Sequence, residues 1–190
     1  TGTTTLKATT SNDITLDNAS NDFQGAVKIT TGNDVTLVDA NAIDLGVSAV
    51  SGTYAVTATS GNITDSGNLT ITGAATFITV ATGSDIILDS SGNAFATNVT
   101  MRAGNGSNAA FGNITFVDSA AVKLHTSAGT NGDLFIDATT DLAVGGNLSI
   151  TATAGNITQS SEVAVTGTSS FTTRATNGTI TLSDTGNAFA

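Results

Sequence analysis

Apolar and polar residues alternate over short runs along this chain. Examples are Val27-Lys28-Ile29, Leu69-Thr70-Ile71, Val99-Thr100-Met101, Leu148-Ser149-Ile150 and Val163-Ala164-Val165. A period of two places alternate side chains on opposite faces, so each run predicts a β-strand with one face buried. The runs are three to five residues long and are separated by Gly, Asn, Asp and Ser, as in Thr31-Gly32-Asn33, Ser60-Gly61-Asn62, Gly104-Asn105-Gly106 and Thr130-Asn131-Gly132. Those residues tolerate the positive φ angles that tight corners need.

The runs repeat. Asp13–Phe23, Asp85–Phe95 and Thr179–Phe189 align without gaps, at offsets of 72 and 94 residues. Ala58–Thr64 matches Ala152–Thr158, and Phe77 matches Phe171, both at the offset of 94. The two offsets differ by 22 residues, close to a shorter period inside them. Val35-Thr36-Leu37 follows Ile14-Thr15-Leu16 by 21 residues, and Ile63 follows Ile43 by 20. Ile114-Thr115-Phe116 and Val122-Lys123-Leu124 recur 20 residues on as Leu134-Phe135-Ile136 and Leu142-Ala143-Val144. The unit is therefore one turn of about 20–23 residues, and the longer super-repeat is expected to have gained one whole turn, which a column of nearest-neighbour contacts tolerates.

A β-sandwich also has short strands, but its strands are not near-copies at this spacing. The pattern predicts an all-β fold, a right-handed parallel β-helix of roughly nine turns, with the hand taken from the general crossover preference. The whole chain, 1–190, is expected to be one solenoid segment with super-repeats at about 12–83, 84–177 and 178–190 onward. Neither terminal sequence reads as a polar cap, and an uncapped solenoid end invites edge pairing, so the expectation is a piece of a longer array. Like should stack on like in the core: Ile14, Leu16, Val35, Leu37, Ile86, Leu88, Ile114, Phe116, Leu134, Ile136, Ile180 and Leu182, with aromatics at Phe23, Phe95 and Phe189 and at Phe77 and Phe171. The spacing leaves open whether each turn has two faces or three.

Composition fits this picture. Thr makes up roughly a fifth of the chain, charged residues only 11%, and there is no Pro, Cys or Trp. β-Branched residues favour extended backbone, so almost no helix is expected. The net charge of −10 opposes binding to phosphate backbones and anionic membranes. Without cysteine there is no disulfide framework and no thiolate metal site. No apolar run approaches the length of a membrane span, so no membrane insertion is expected.

Candidate chemistry is sparse. Asp13/Asp17, Asp85/Asp89 and Asp133/Asp137 bracket strands, with Asp34 and Asp39 nearly so, and each pair is expected to point outward. Stacked on adjacent turns, such pairs would be Ca²⁺ candidates through oxygen ligation. The plainer expectation is a solvated acidic face, no cofactor and no other metal. Two carboxylates could also serve polysaccharide cleavage, but the loops are short and Lys7, Lys28, Arg102, Lys123 and Arg174 are scattered, so no enzyme is expected. His125 is the single histidine and has no partner for catalysis or metal. Thr-x-Thr pairs such as Thr57/Thr59, Thr70/Thr72 and Thr179/Thr181 raise ice binding, which needs the pair on one face of every turn. Asn-x-Ser/Thr tripeptides such as Asn62-Ile63-Thr64 follow from a corner Asn, an inward apolar residue and an outward Thr. The stretch 102–113 is the longest loop expected and the best local contact site.

The blocks Asn33-Asp34-Val35-Thr36-Leu37, Ser60-Gly61-Asn62-Ile63-Thr64, Leu69-Thr70-Ile71-Thr72-Gly73 and Gly92-Asn93-Ala94-Phe95 resemble the repeats of filamentous-haemagglutinin-type exoproteins, which are giant bacterial adhesins of the two-partner secretion type. The resemblance spans essentially the whole chain, but the family's secretion domain is not in this sequence. It implies a secreted, cell-surface shaft serving adhesion, biofilm formation or display of a distal domain. The partners it implies are neighbouring solenoid segments, copies of itself, and host or bacterial surface glycans and proteins. The alternative is a self-assembling subunit of an extracellular filament, sheath or surface layer.

Overall fold

The structure is a computed structural model describing residues 2–104, 112–125, 133–136 and 142–190; for His125, residues 133–136, Leu142 and Ala143 it describes the backbone alone. The described residues contain strands and no helix, and all strand pairs are parallel. Two wide sheets carry the fold. Sheet I stacks Thr4–Lys7, Val27–Thr31, Ile43–Leu45, Ile63–Asp65, Ile86–Leu88, Ile114–Asp118, Leu148–Ala152 and Ser169–Thr173. Sheet II stacks Ile14–Leu16, Val35–Asp39, Tyr54–Ala58, Ala75–Thr79, Val99–Ala103, Asp133–Ile136, Val122–His125, Ile157–Gln159 and Ile180–Thr181, in that spatial order. The chain is thus a β-solenoid of about 7 turns, near the number expected from its length.

Two short sheets complete the coils. Sheet III holds Ser48–Val50, Leu69–Ile71 and Ala94–Phe95, and each of its strands follows a strand of sheet I and precedes one of sheet II. Sheet IV holds Leu142–Val144, Val163–Val165 and Ala188–Phe189, whose strands follow sheet II and, for the first two, lead into sheet I. Because the strands of each wide sheet run parallel throughout, the chain circulates one way. Sheets III and IV therefore close opposite sides of the column. The middle coils have their third face on one side and the C-terminal coils on the other.

This switch moves near-copies onto different faces. Ile86–Leu88 lies in sheet I, whereas its copies around Ile14–Leu16 and Ile180–Thr181 lie in sheet II. Tyr54–Ala58 lies in sheet II and its copy Leu148–Ala152 in sheet I. The expected whole-turn insertion is corrected too. Sheet I passes directly from Ile114–Asp118 to Leu148–Ala152, and the extra segment adds one strand, Asp133–Ile136, to sheet II. That strand sits out of chain order, between Val99–Ala103 and Val122–His125. Ile114 neighbours Ile86 and Leu148, while Leu134 neighbours Val99 and Leu124, so the expected stacking of Ile114 on Leu134 does not occur. Nor does Leu142 lie on Val122; it pairs with Val163. The physical reason is that alternation encodes inward against outward and carries no label for which sheet a strand joins. The registers Ile14 on Val35, Leu16 on Leu37 and Ile43 on Ile63 are found as expected.

The core runs down the middle. Val35, Leu37, Ile86 and Leu88 are fully buried and Ile114 and Phe116 nearly so. Burial of each such side chain contributes about 1.5–3 kcal/mol. Ile14, Leu16 and Leu182 are half-buried, and Ile180 is exposed, in the coils with no described strand beyond them. The side chains of Leu134 and Ile136 lie outside the described set. The like-on-like stacking of aromatics expected from the repeat is not what the ladders show for Phe77 and Phe95. Phe77 of sheet II has Val56 and Met101 as ladder neighbours, and Phe95 has Ile71. Tyr54 meets Phe77 diagonally between adjacent strands of sheet II at 5.9 Å, while Phe77 with Phe95 at 6.1 Å and Phe95 with Phe116 at 5.2 Å join sheets II, III and I. Phe23 is half-buried, and Phe171 packs against Phe189, which is exposed on its outer side.

Candidate functional site

At each corner the backbone leaves the strand direction and its N–H groups need partners in the next coil. Short Asx side chains supply them. Asp13 Oδ1 accepts from the Asp34 N–H at 3.1 Å and the Asn33 side chain at 3.0 Å, and Asp34 Oδ1 accepts from the Thr53 N–H at 2.7 Å. A second ladder follows: Asn62 accepts from the Asp85 N–H (2.8 Å), Asp85 from Asn113 (2.6 Å), Asn113 from Asn147 (2.8 Å) and Asn147 from Thr168 (2.8 Å). The Thr53 backbone N–H, then its hydroxyl, hold the Asp34 carboxyl below its ordinary value.

These bonds change the reading of the acidic pairs. Asp13 and Asp17 flank a strand of sheet II, Asp85 and Asp89 a strand of sheet I, so the two pairs do not stack. Asp13 and Asp85 already hold backbone N–H groups, while Asp17 and Asp89 are exposed. The Asp133 side chain and all of Asp137 lie outside the described residues. Among the described residues no group of three or more His, Cys, Asp or Glu is placed to hold a metal ion. The His125 backbone sits opposite Phe135, and its side chain lies outside the described set, as does most of the 102–113 stretch.

A second set of carboxylates points inward, which for Asp39 corrects the expected outward direction. Asp39 is fully buried; it accepts from the Phe23 N–H at 2.8 Å and the Asn41 N–H at 2.7 Å. Asp118 is 2% exposed and takes the Ala120 N–H at 3.2 Å and, more weakly, the Phe95 N–H at 3.5 Å. Asp65 accepts from the Asp89 N–H at 2.8 Å and from the Asn93 side chain at 2.7 Å, and Asn93 in turn accepts the Leu69 N–H at 2.8 Å. Burial pushes the Asp65 and Asp118 carboxyls up, partly offset by these donors. The signal was present in the parity: Asp39 shares the phase of Val35 and Leu37, Asp65 that of Ile63, and Asp118 that of Ile114 and Phe116. One super-repeat on, Gln159 replaces Asp65 and pairs with Asn187, which takes the Val163 N–H at 2.9 Å.

The outer faces carry little charge. Along sheet II, Thr15, Thr36, Ala55, Thr76 and Thr100 stand in register, with Val38, Thr57, Ile78 and Arg102 as a second row. Along sheet I, Thr64, Ile87, Thr115, Ser149 and Ser170 form a comparable row. The Thr-x-Thr pairs are distributed over several sheets and their corners, so the described coils do not repeat that pair on one face of every turn. A cleft of about 240 Å³ beside sheet III is lined by Thr70, Thr72, Ala94, Phe95 and Asp118, whose carboxylate is already engaged.

A family model described as repeats of unknown function (DUF5649) matches residues 1–30, 32–102 and 131–190. The intervening 103–130 contains Ile114–Asp118 and Val122–His125, the strands beside the out-of-order insertion. No curated protein and no solved structure matches the chain.

Proposed function

The chain belongs to this DUF5649 family of repeats of unknown function, and from that premise we propose that it is a non-catalytic shaft of a large bacterial surface exoprotein, secreted and displayed outside the cell for adhesion, biofilm formation or presentation of a distal domain. The observation that carries the reading is how the polar groups are used. The Asx side chains that a site would recruit are tied to backbone N–H groups of adjacent coils, from Asp13 through Asn147. Such a scaffold supplies length and stiffness, because each coil is held to its neighbours by main-chain ladders, corner bonds and core. The filamentous-haemagglutinin resemblance of the sequence points the same way. Immunogold labelling of intact source cells, paired with an adhesion assay on a strain lacking this segment, tests it. Labels outside the envelope and weakened adhesion are expected; label confined to the cell interior overturns the reading.

A second reading, a self-assembling subunit of a filament, sheath or surface layer, is favoured by the flat rows of Thr, Ala, Val and Ile on sheet II. These leave most charge at the corners, so two chains of net charge −10 can approach face to face. Purified chain that assembles into ordered polymers under electron microscopy would select this reading over the first. Polysaccharides incubated with the protein are expected to release no sugar on either.

A further inference from the structure

We propose that Asn177 is a site of spontaneous covalent modification, in which its side-chain amide is lost through a cyclic imide formed with the backbone nitrogen of Gly178. Asn177 lies in the exposed turn between Ser169–Thr173 and Ile180–Thr181 and has φ 62°, the one described non-glycine residue in the left-handed region. The equivalent position one super-repeat earlier is Gly83, with φ 72°. The turn thus demands a left-handed residue; glycine meets that demand without strain and Asn is among the few other types that tolerate it.

What sets Asn177 apart from the other corner asparagines is the residue after it. Asn62, Asn113, Asn147 and Asn156 are followed by Ile63, Ile114, Leu148 and Ile157. Those N–H groups are fixed in the inter-coil ladder, donating to Asp85, Asn147, Thr168 and Thr179 carbonyls at 2.9–3.0 Å. The four asparagine side chains are themselves engaged by N–H groups of the next coil. Gly178 instead donates to Ala175 O at 3.0 Å, inside its own turn. It has no side chain to hinder approach, and a Cβ there would stand 2.4 Å from Thr173 Oγ1. A local rotation of an exposed turn therefore brings the Gly178 nitrogen to the Asn177 Cγ, whereas at the other corners the same step would break the column.

The chemistry needs only water and base. The deprotonated Gly178 nitrogen attacks Cγ, the new C–N bond forms, the Cγ–Nδ2 bond breaks, and ammonia leaves with the proton. Water then opens the five-membered imide at either carbonyl. One opening yields aspartate on an unaltered backbone; the other yields isoaspartate, with an extra methylene in the main chain. No electrons are exchanged. Both products place a negative charge beside Thr179, whose N–H donates to Asn156 Oδ1 at 2.9 Å and whose carbonyl accepts the Ile157 N–H at 2.9 Å. The isoaspartate form lengthens the chain next to these two bonds, so the last described coil should loosen with age. Asparagine is a recognised point of thermal lability in proteins.

The test is peptide mapping of the folded protein after incubation in mildly alkaline buffer, with enzymatic methyl labelling of isoaspartate. By fragment-ion assignment, Asn177 is expected to gain the mass of NH₂ replaced by OH and to take the label, while Asn62, Asn113, Asn147 and Asn156 do not. The other Asn-Gly pairs, at Asn105 and Asn131, fall outside the Arg174-terminated boundary of the Asn177 peptide and are distinguished from Asn113, Asn147 and Asn156 by their fragment ions. The variant Asn177→Gly, which reproduces the Gly83 turn, is expected to abolish the label at that peptide with the circular dichroism spectrum unchanged. An Asn177 amide that persists as long as that of Asn62 overturns the proposal.

Discussion

Asp65 and Gln159 occupy the same place in successive super-repeats, and the pair isolates what a buried carboxylate contributes. Each accepts a hydrogen bond from the side-chain amide of a corner asparagine, Asn93 or Asn187, but only Asp65 can ionise. Its carboxyl is raised above the ordinary 3.8 by burial, so the folded chain binds that proton more tightly than the unfolded one. The associated stability is fully present below the unfolded value and is lost as pH rises through the raised folded value. Relative to Asp65→Gln, the wild type should therefore gain stability on acidification from neutrality toward 3.8, measured as a difference in denaturant midpoint at each pH; a flat difference would refute this. Asp118→Ala removes the acceptor for the buried Phe95 N–H and for the Ala120 N–H at the adjoining corner. Leaving such donors unsatisfied costs about 1–3 kcal/mol, which chemical denaturation would read.

Along the elements, inward and outward positions differ sharply in what they contribute. Phe116 is 2% exposed and touches Phe95, so Phe116→Ala should cost about 3–5 kcal/mol. Outward Thr76→Ser should stay within about 0.5 kcal/mol, since Thr76 stands on the outer row of sheet II between Ala55 and Thr100. Equal effects would mean that the faces are reversed. Strands, corners and inward phase were legible in the sequence because period two and Asx-Gly punctuation are local signals, and Val35-Thr36-Leu37 on Ile14-Thr15-Leu16 was read in its true register. The buried Asp39, Asp65 and Asp118 were not, although their parity is that of the core. An aspartate reads as outward until its backbone donors, supplied by neighbouring coils, are known. The aromatic contacts escaped for a related reason: Phe77, Phe95 and Phe116 meet across sheets, and no sequence offset encodes a contact across the interior.

For the whole molecule, a solenoid whose third face changes sides is built from near-identical repeats by changing only which corner a short strand occupies. Sheet III closes the passage from sheet I to sheet II and sheet IV the passage back, and the change falls around the inserted strand Asp133–Ile136. Val99 and Val122 are already 23 residues apart along the chain, the length of an ordinary coil, and the inserted strand comes after both in sequence. Deleting 126–141 should therefore leave a folded column whose Val99–Ala103 strand pairs directly with Val122–His125; a deletion variant that loses its β-sheet circular dichroism would contradict this. The offset of 20 residues that suggested Ile114 over Leu134 was a coincidence of two similar sequence runs whose strands lie in different sheets. The register itself can be read by cross-linking, since the chain has no native cysteine to interfere. Adjacent coils lie about 4.8 Å apart, within the Cα range of about 4.4–6.8 Å that a disulfide spans. The doubly substituted Thr115→Cys/Ser149→Cys chain should oxidise to an intramolecular disulfide, because these residues are ladder partners in sheet I, and Thr115→Cys/Phe135→Cys should not. Efficient closure of the second pair and none of the first would contradict the account.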